Sequence, residues 1–135
     1  RTPLTSIIGF SEIIAAELLT LKADKVETIK LMEELKPKVG LACYSNTHQV
    51  HWDHLLGERA WYGHLQHVFA SHTHGLAKPD PAVFTFMERE LNVKPSEAVL
   101  IDDNERNIAS ARAAGWHAIH FVDIEQVRTE LSKLM

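Results

Sequence analysis

Apolar residues along this chain come in two rhythms: compact unbroken runs, and longer stretches spaced at helical intervals. Runs of the first kind read as strands buried on both faces, and stretches of the second as amphipathic helices. Thr5 to Leu21 places Ile7, Ile8, Ile13, Ile14, Leu18 and Leu21 mostly at helical spacing, which predicts a helix. Gly9 weakens it, so Ser6 to Phe10 can instead be extended. Asp24 to Leu35 is a stronger amphipathic helix, with Val26, Ile29, Leu31, Met32 and Leu35 for its buried face. Asp24 would cap it, and Pro37 follows its end. Val39 to Tyr44 is an apolar strand that stops at Ser45-Asn46. A helix over Trp52 to Gly63 and a short strand over Val68 to Ser71 come next. Pro81 to Leu91 then reads as a helix with proline in its first turn. Val99 to Ile101, Asn104 to Ala114 and Ala118 to Phe121 give strand, helix, strand, and Ile124 to Leu134 closes the chain as a helix. Such alternation predicts a three-layer α/β fold around a mainly parallel sheet.

Composition narrows the partners more than the fold. At 135 residues the chain has room for one domain with a real core, and its 45% apolar and 24% charged content is ordinary for a soluble globular protein. A net charge of -4 with no basic run argues against a nucleic-acid footprint. No apolar stretch reaches spanning length and no signal-peptide pattern is present, so no membrane partner is expected. The single cysteine, Cys43, excludes an internal disulfide framework and fits a reducing, cytoplasmic location. Because Arg1 stands where an initiator Met would, a fragment or a processed chain is expected.

Three predicted strand ends carry polar chemistry. Ala98-Val99-Leu100-Ile101 runs into Asp102 and Asp103, two adjacent carboxylates at a sheet edge where ligands bind in open α/β folds. Adjacent acids repel, and a hard divalent cation would relieve them; the competing reading makes them N-terminal acids capping the next helix. Ser45-Asn46-Thr47 can cradle an anion with a hydroxyl and free amides, or serve as an ordinary helix cap. Lys78, between Ala77 and Pro79, supplies a point charge for a phosphate or for the nearby acids, although Lys78-Pro79-Asp80-Pro81 also fits a plain helix start. The histidines are numerous. His51 and His54 would share a helical face, as would His64 and His67, while His48 follows Ser45 and His72 and His74 lie near Lys78. Their spacing is loose for zinc, so surface or pocket histidines are favoured over a metal site. Trp52, Trp61, Tyr62 and Phe69 are expected in the core.

In this order and spacing the three strand ends resemble the motifs of the haloacid dehalogenase-like hydrolase superfamily, over about residues 25 to 135. Gly40 to Asn46 is similar to its second motif, Lys78 in KPDPAVF to its third, and IDDNERNIASARAAG to its paired-acid fourth. The likeness is to the capped phosphatase and dehalogenase branch. It implies a Rossmann-like core and a small phosphorylated or halogenated substrate. It further implies that Ser45 and Asn46 contact the phosphoryl group and Lys78 balances its charge. Asp102 and Asp103 would hold Mg²⁺, and Asn107 would steady their loop. Phosphoryl transfer needs mainly such positioning and charge neutralisation.

One part of that pattern is absent. The family nucleophile is the first Asp of an Asp-x-Asp motif on the central strand, yet this chain has no Asp-x-Asp and no Asp before Asp24. Covalent catalysis requires that group. Two readings follow: a hydrolase of this type, or a truncated form inactive alone; and a non-catalytic domain that binds a phosphorylated ligand or a partner protein. The family's first-motif strand lies between the strands ending at Ser45 and Asp102, so it must be missing or replaced. Thr5 to Phe10 could fill the slot as a strand, a neighbouring chain could complete the sheet by swapping or dimerisation, or the sequence could lack a segment. Arg1 to Ile14 also resembles the dimerisation helix of a sensor histidine kinase just past its phosphoacceptor His, which would fall before Arg1. Residues 1–22 are accordingly expected to be a helical segment, either cap remnant or kinase-like, and residues 23–135 the core.

Overall fold

A computed structural model describes residues 4–8, 25–45, 67–70 and 75–135; within these, the side chains of residues 25–29, 45, 67, 68 and 70 lie outside the description. The described elements, in chain order, are β1 (Ser6–Ile8), α1 (Lys25–Leu35), β2 (Gly40–Ser45), β3 (His67–Ala70), α2 (Pro81–Leu91), a 3₁₀ turn (Pro95–Glu97), β4 (Ala98–Asp102), α3 (Glu105–Ala113), β5 (His117–His120) and α4 (Ile124–Leu134). The five strands form one sheet in the order β3-β2-β1-β4-β5, and every pairing is parallel. Helices cover both faces, as parallel sheets require.

Side-chain alternation divides the core into two layers. Ile7, Leu41, Cys43, Val99, Ile101 and Ile119 point to one face, where Leu31, Met32 and Leu35 of α1 and Ile124, Val127 and Leu131 of α4 cover them. Ile8, Ala42, Tyr44 and Leu100 point to the other, against Val83, Phe84 and Met87 of α2 and Ile108 and Ala111 of α3. All five residues of β4 are buried, which explains its unbroken apolar run. The helices begin where their caps dictate: Asp80 accepts from the Ala82 amide ahead of α2, and Asp123 from the Gln126 amide ahead of α4. Between α3 and β5 the chain turns at Gly115, whose φ is 89° and whose missing Cβ would lie 3.3 Å from the Pro95 side chain.

The centre of the sheet, between β2 and β4, belongs to β1. Ser6–Ile8 pairs with β2 on one side and β4 on the other, Ile7 standing opposite both Leu41 and Val99. The slot is therefore filled by this chain's own β1, and the sheet needs no strand from a second chain across the described residues. A helix from Thr5 onward and a kinase-like helix are both corrected at Ser6–Ile8, and residues 1–3 and 9–14 lie outside the described residues. Two adjacent β-branched residues fit a strand buried on both faces, and Ile7 and Ile8 are both fully buried. A boundary after residue 22 does not separate residues 4–8 from the core, because they form its middle strand. Residues 9–24, the helix expected over Trp52 to Gly63, and Ser71 lie outside the described residues, as does the capping role assigned to Asp24. Among the described residues no helix is long and apolar enough to cross a membrane.

Ile7→Ala is expected to cost about 2–5 kcal/mol in urea denaturation, the range for a fully buried large-to-small change. A cost within about 0.5 kcal/mol, as at an exposed site, would remove β1 from the centre of the sheet.

Candidate active site

The carboxyl ends of β2 and β4 flank the end of β1, and the polar residues collect there. Asp102 is the last residue of β4 and only 1% exposed. A carboxylate so placed has lost its water and must be compensated locally. Three donors do this: Lys78 Nζ at 2.7 Å and Asn107 Nδ2 at 3.1 Å on Oδ2, and the Asn104 amide at 2.8 Å on Oδ1. The Lys78 side chain is itself fully buried, so the pair sits in a low-dielectric site where its attraction is strong. Asn107 reaches Asp102 because it lies on the first turn of α3, five residues on, with its side chain turned inward.

Lys78 belongs to an irregular segment, so its direction depends on what holds that segment. Tyr44 Oη donates to the Leu76 carbonyl oxygen, and Ser110 Oγ donates to the Pro79 carbonyl oxygen at 2.6 Å. One bond comes from β2 and the other from α3, and they bracket the lysine in sequence. Burial pushes the Tyr44 hydroxyl up from its ordinary pKa, so it stays a proton donor.

Asp103 differs from its neighbour. It is exposed, and its carboxyl is raised above the ordinary range, first by partial burial and then by the Asp102 charge, while Lys78 acts in the opposite sense. Neither acid caps α3. Asn104 does, its side chain accepting from the Arg106 amide at 2.9 Å and the Asn107 amide at 3.3 Å, because the chain needs one residue beyond the strand to turn. The reading of Asp102 and Asp103 as helix caps is thereby corrected.

Of the residues picked out in the sequence, Lys78, Asp102 and Asn107 form one hydrogen-bonded cluster, with Asp103 beside it. Ser45 ends β2 at the same edge of the sheet, its side chain lying outside the description, and Asn46 lies outside the described residues. His48, His51, His54, His64, His72 and His74 also lie outside them, and His67 is described only as backbone at the start of β3. Among the described residues no group of three His, Cys, Asp or Glu side chains could hold a metal ion. Asp102 and Asp103 nonetheless supply two hard oxygen donors, the number Mg²⁺ commonly takes from a protein when phosphate and water complete its shell. Ser110, Tyr44 and the ring of His120 were not picked out from the sequence. The contacts of Ser110 and Tyr44 join residues more than thirty apart, a separation that no local spacing reports.

Comparison with known proteins accords with this geometry. A family model described as "haloacid dehalogenase-like hydrolase" matches residues 7–115. The sesquiterpene phosphatase astK of Aspergillus oryzae is 30% identical over 107 residues, covering 78% of this chain and 54% of that protein. The chain spans about half or less of the curated relatives it matches. An uncharacterized protein from Corynebacterium glutamicum shares the fold with a TM-score of 0.74 at 19% identity, over 98% of this chain and 95% of that one. A HAD family enzyme from Bacteroides thetaiotaomicron, in complex with magnesium and inorganic phosphate, gives a TM-score of 0.63 at 22% identity, over 70% of this chain and 50% of that one.

Lys78→Met should destabilise the fold by about 3–5 kcal/mol, because it strands a buried carboxylate. The double variant Lys78→Met/Asp102→Asn should lose less than the sum of the two single changes, and additivity within about 0.5 kcal/mol in urea denaturation would show that the pair is not coupled. Asp103 gives the opposite sign. Its folded-state pKa lies above the unfolded value, so its contribution favours the fold most at low pH and is lost as pH rises through the raised value. Asp103→Asn should therefore be slightly more stable than the parent at neutral pH without added metal, by about 0.5 kcal/mol or less at so exposed a site, and the difference should vanish in acid.

Proposed function

The chain belongs to the haloacid dehalogenase-like hydrolase family, and from that premise we propose that the carboxyl edge of its sheet binds a small phosphorylated ligand with Mg²⁺ and does not hydrolyse it by the covalent aspartyl route. The observation that carries this reading is the identity of the central strand. Ser6–Ile8 occupies the slot between β2 and β4, and the sequence leaves it as Gly9-Phe10-Ser11-Glu12, with no aspartate before Asp24. The family's nucleophile belongs at the end of that strand, and without it no aspartyl-phosphate forms.

What remains is a cradle. Lys78 offers a buried cation to a phosphoryl oxygen while neutralising Asp102. Asp102 and Asp103 would hold Mg²⁺, whose charge, when bound, would offset that of the phosphoryl oxygens. Asn107 keeps the Asp102 carboxylate turned toward Lys78. Ser45 and Asn46, at and just past the end of β2, would supply further phosphate contacts. Support for a phosphorylated rather than a halogenated ligand comes from the phosphatase among the relatives. The same likeness favours a second reading, an active Mg²⁺-dependent phosphatase in which another group replaces the aspartate.

One assay separates the two. With p-nitrophenyl phosphate and Mg²⁺ the protein should show no turnover above buffer, while inorganic phosphate should still bind with Mg²⁺ present and bind about tenfold or more weakly to Lys78→Gln, since a charge-assisted contact of about 1.5–3 kcal/mol is lost. Turnover that Asp102→Asn abolishes would establish the phosphatase instead.

A further inference from the structure

The parallel register sets His120, the last residue of β5, opposite Asp102. Its Nε2 lies 3.0 Å from the carbonyl oxygen of Asp103. A carbonyl oxygen only accepts, so Nε2 carries the proton and donates. The main chain that carries this ring is held in turn. Gln126 Nε2 donates to the His120 carbonyl oxygen at 3.0 Å, Gln126 Oε1 accepts from the Val122 amide at 3.2 Å, and the Gln126 amide donates to Asp123 Oδ1 at 2.8 Å. A chain of bonds thus runs from the first turn of α4 through His120 to the Asp103 peptide. The Phe121 amide adds a bond to the Asp102 carbonyl oxygen at 2.8 Å, so the end of β5 grips both peptides of the acidic turn.

The two acids of that turn are oriented by different means. Three side-chain and backbone donors fix the Asp102 carboxylate. Asp103 is exposed, and its carboxylate is carried on the peptide whose carbonyl oxygen His120 holds. Left loose, the Asp103 peptide would let its carboxylate swing away from the like charge of Asp102. We infer that His120 is a positioning residue for the cation site: by holding the Asp103 carbonyl oxygen it keeps the Asp103 carboxylate beside that of Asp102, where one divalent cation can engage both. This inference rests on the reading of Asp102 and Asp103 as the Mg²⁺ ligands. His120 itself touches neither cation nor phosphate; it acts through the Asp103 peptide.

The test is a titration of MgCl₂ followed through the backbone amides of Asp103 and Asn104 by NMR. His120→Ala should require roughly two- to tenfold more Mg²⁺ for half-saturation, the loss expected from one hydrogen bond, with the melting temperature nearly unchanged because the ring is exposed. His120→Gln, whose side-chain amide can place an N–H where Nε2 stands, should restore the affinity to within about twofold of the parent. Equal affinity in parent and His120→Ala would overturn the positioning role and leave the cation site standing. Rescue absent in His120→Gln would overturn it too, since the donor would then be irrelevant. A parent protein whose Asp103 and Asn104 amides show no saturable response to Mg²⁺ would overturn both the cation reading and this inference.

Discussion

A carboxylate buried at the end of a central strand has to be neutralised where it stands, and the carboxyl edge of this sheet is organised around that requirement. Asp102 cannot be solvated, so Lys78 is brought to it from a segment with no regular structure. Irregular backbone has no ladder to hold it, so hydroxyls on Tyr44 and Ser110 take its carbonyls. Asn107 then uses the remaining capacity of Oδ2, which places the start of α3. The neutral hydrogen bonds among these contacts are modest alone. Together they couple β2, β4, α3 and the lysine segment, so that a change in one is felt in the others.

That coupling separates two questions that a site motif tends to merge. An ion pair of this kind has a folding role whatever chemistry takes place beside it, since removing either partner leaves the other buried and unmatched. Its presence therefore identifies a place in the fold more securely than it identifies an activity. Discrimination falls to the strand between β2 and β4. There Ile7 and Ile8 satisfy the packing and the backbone pairing that the slot demands, but they carry no nucleophile. Packing and chemistry are met by different residues, and a chain can keep the first without the second.

Much of the fold was legible in the sequence because most elements are locally consistent. Pro81–Leu91 and Ile124–Leu134 fall where their caps and periodicity put them, and the apolar run before Asp102 is the buried strand its pattern implies. β1 was harder. Three residues are too few to show a period, and Ile13, Ile14 and Leu18 beyond them favoured a helical count. Gly9 allowed an extended segment there, but the reason to choose it was the vacancy in the parallel sheet, and that is a tertiary constraint. The site divides the same way. Lys78, Asp102 and Asn107 stand out as residue types at strand ends and on a first helical turn, whereas the cap at Asn104 depends on where the strand actually stops.

Tyr44 and Ser110 mark the limit of what a pattern can reveal. In the sequence Tyr44 is one more apolar residue of β2, and its ring does pack, meeting Phe86 edge-on with ring centres 6.3 Å apart. Its hydroxyl nevertheless crosses to Leu76, because a buried phenol must find an acceptor. Ser110 sits in a helix rich in small residues, where a hydroxyl looks incidental, yet it reaches the peptide beside Lys78. Both residues satisfy a local need of their own and, in doing so, fix the segment of a lysine they do not hydrogen-bond. The order of causes runs from burial to hydrogen bond to position, and a lysine on an irregular segment acquires its direction only at the last step.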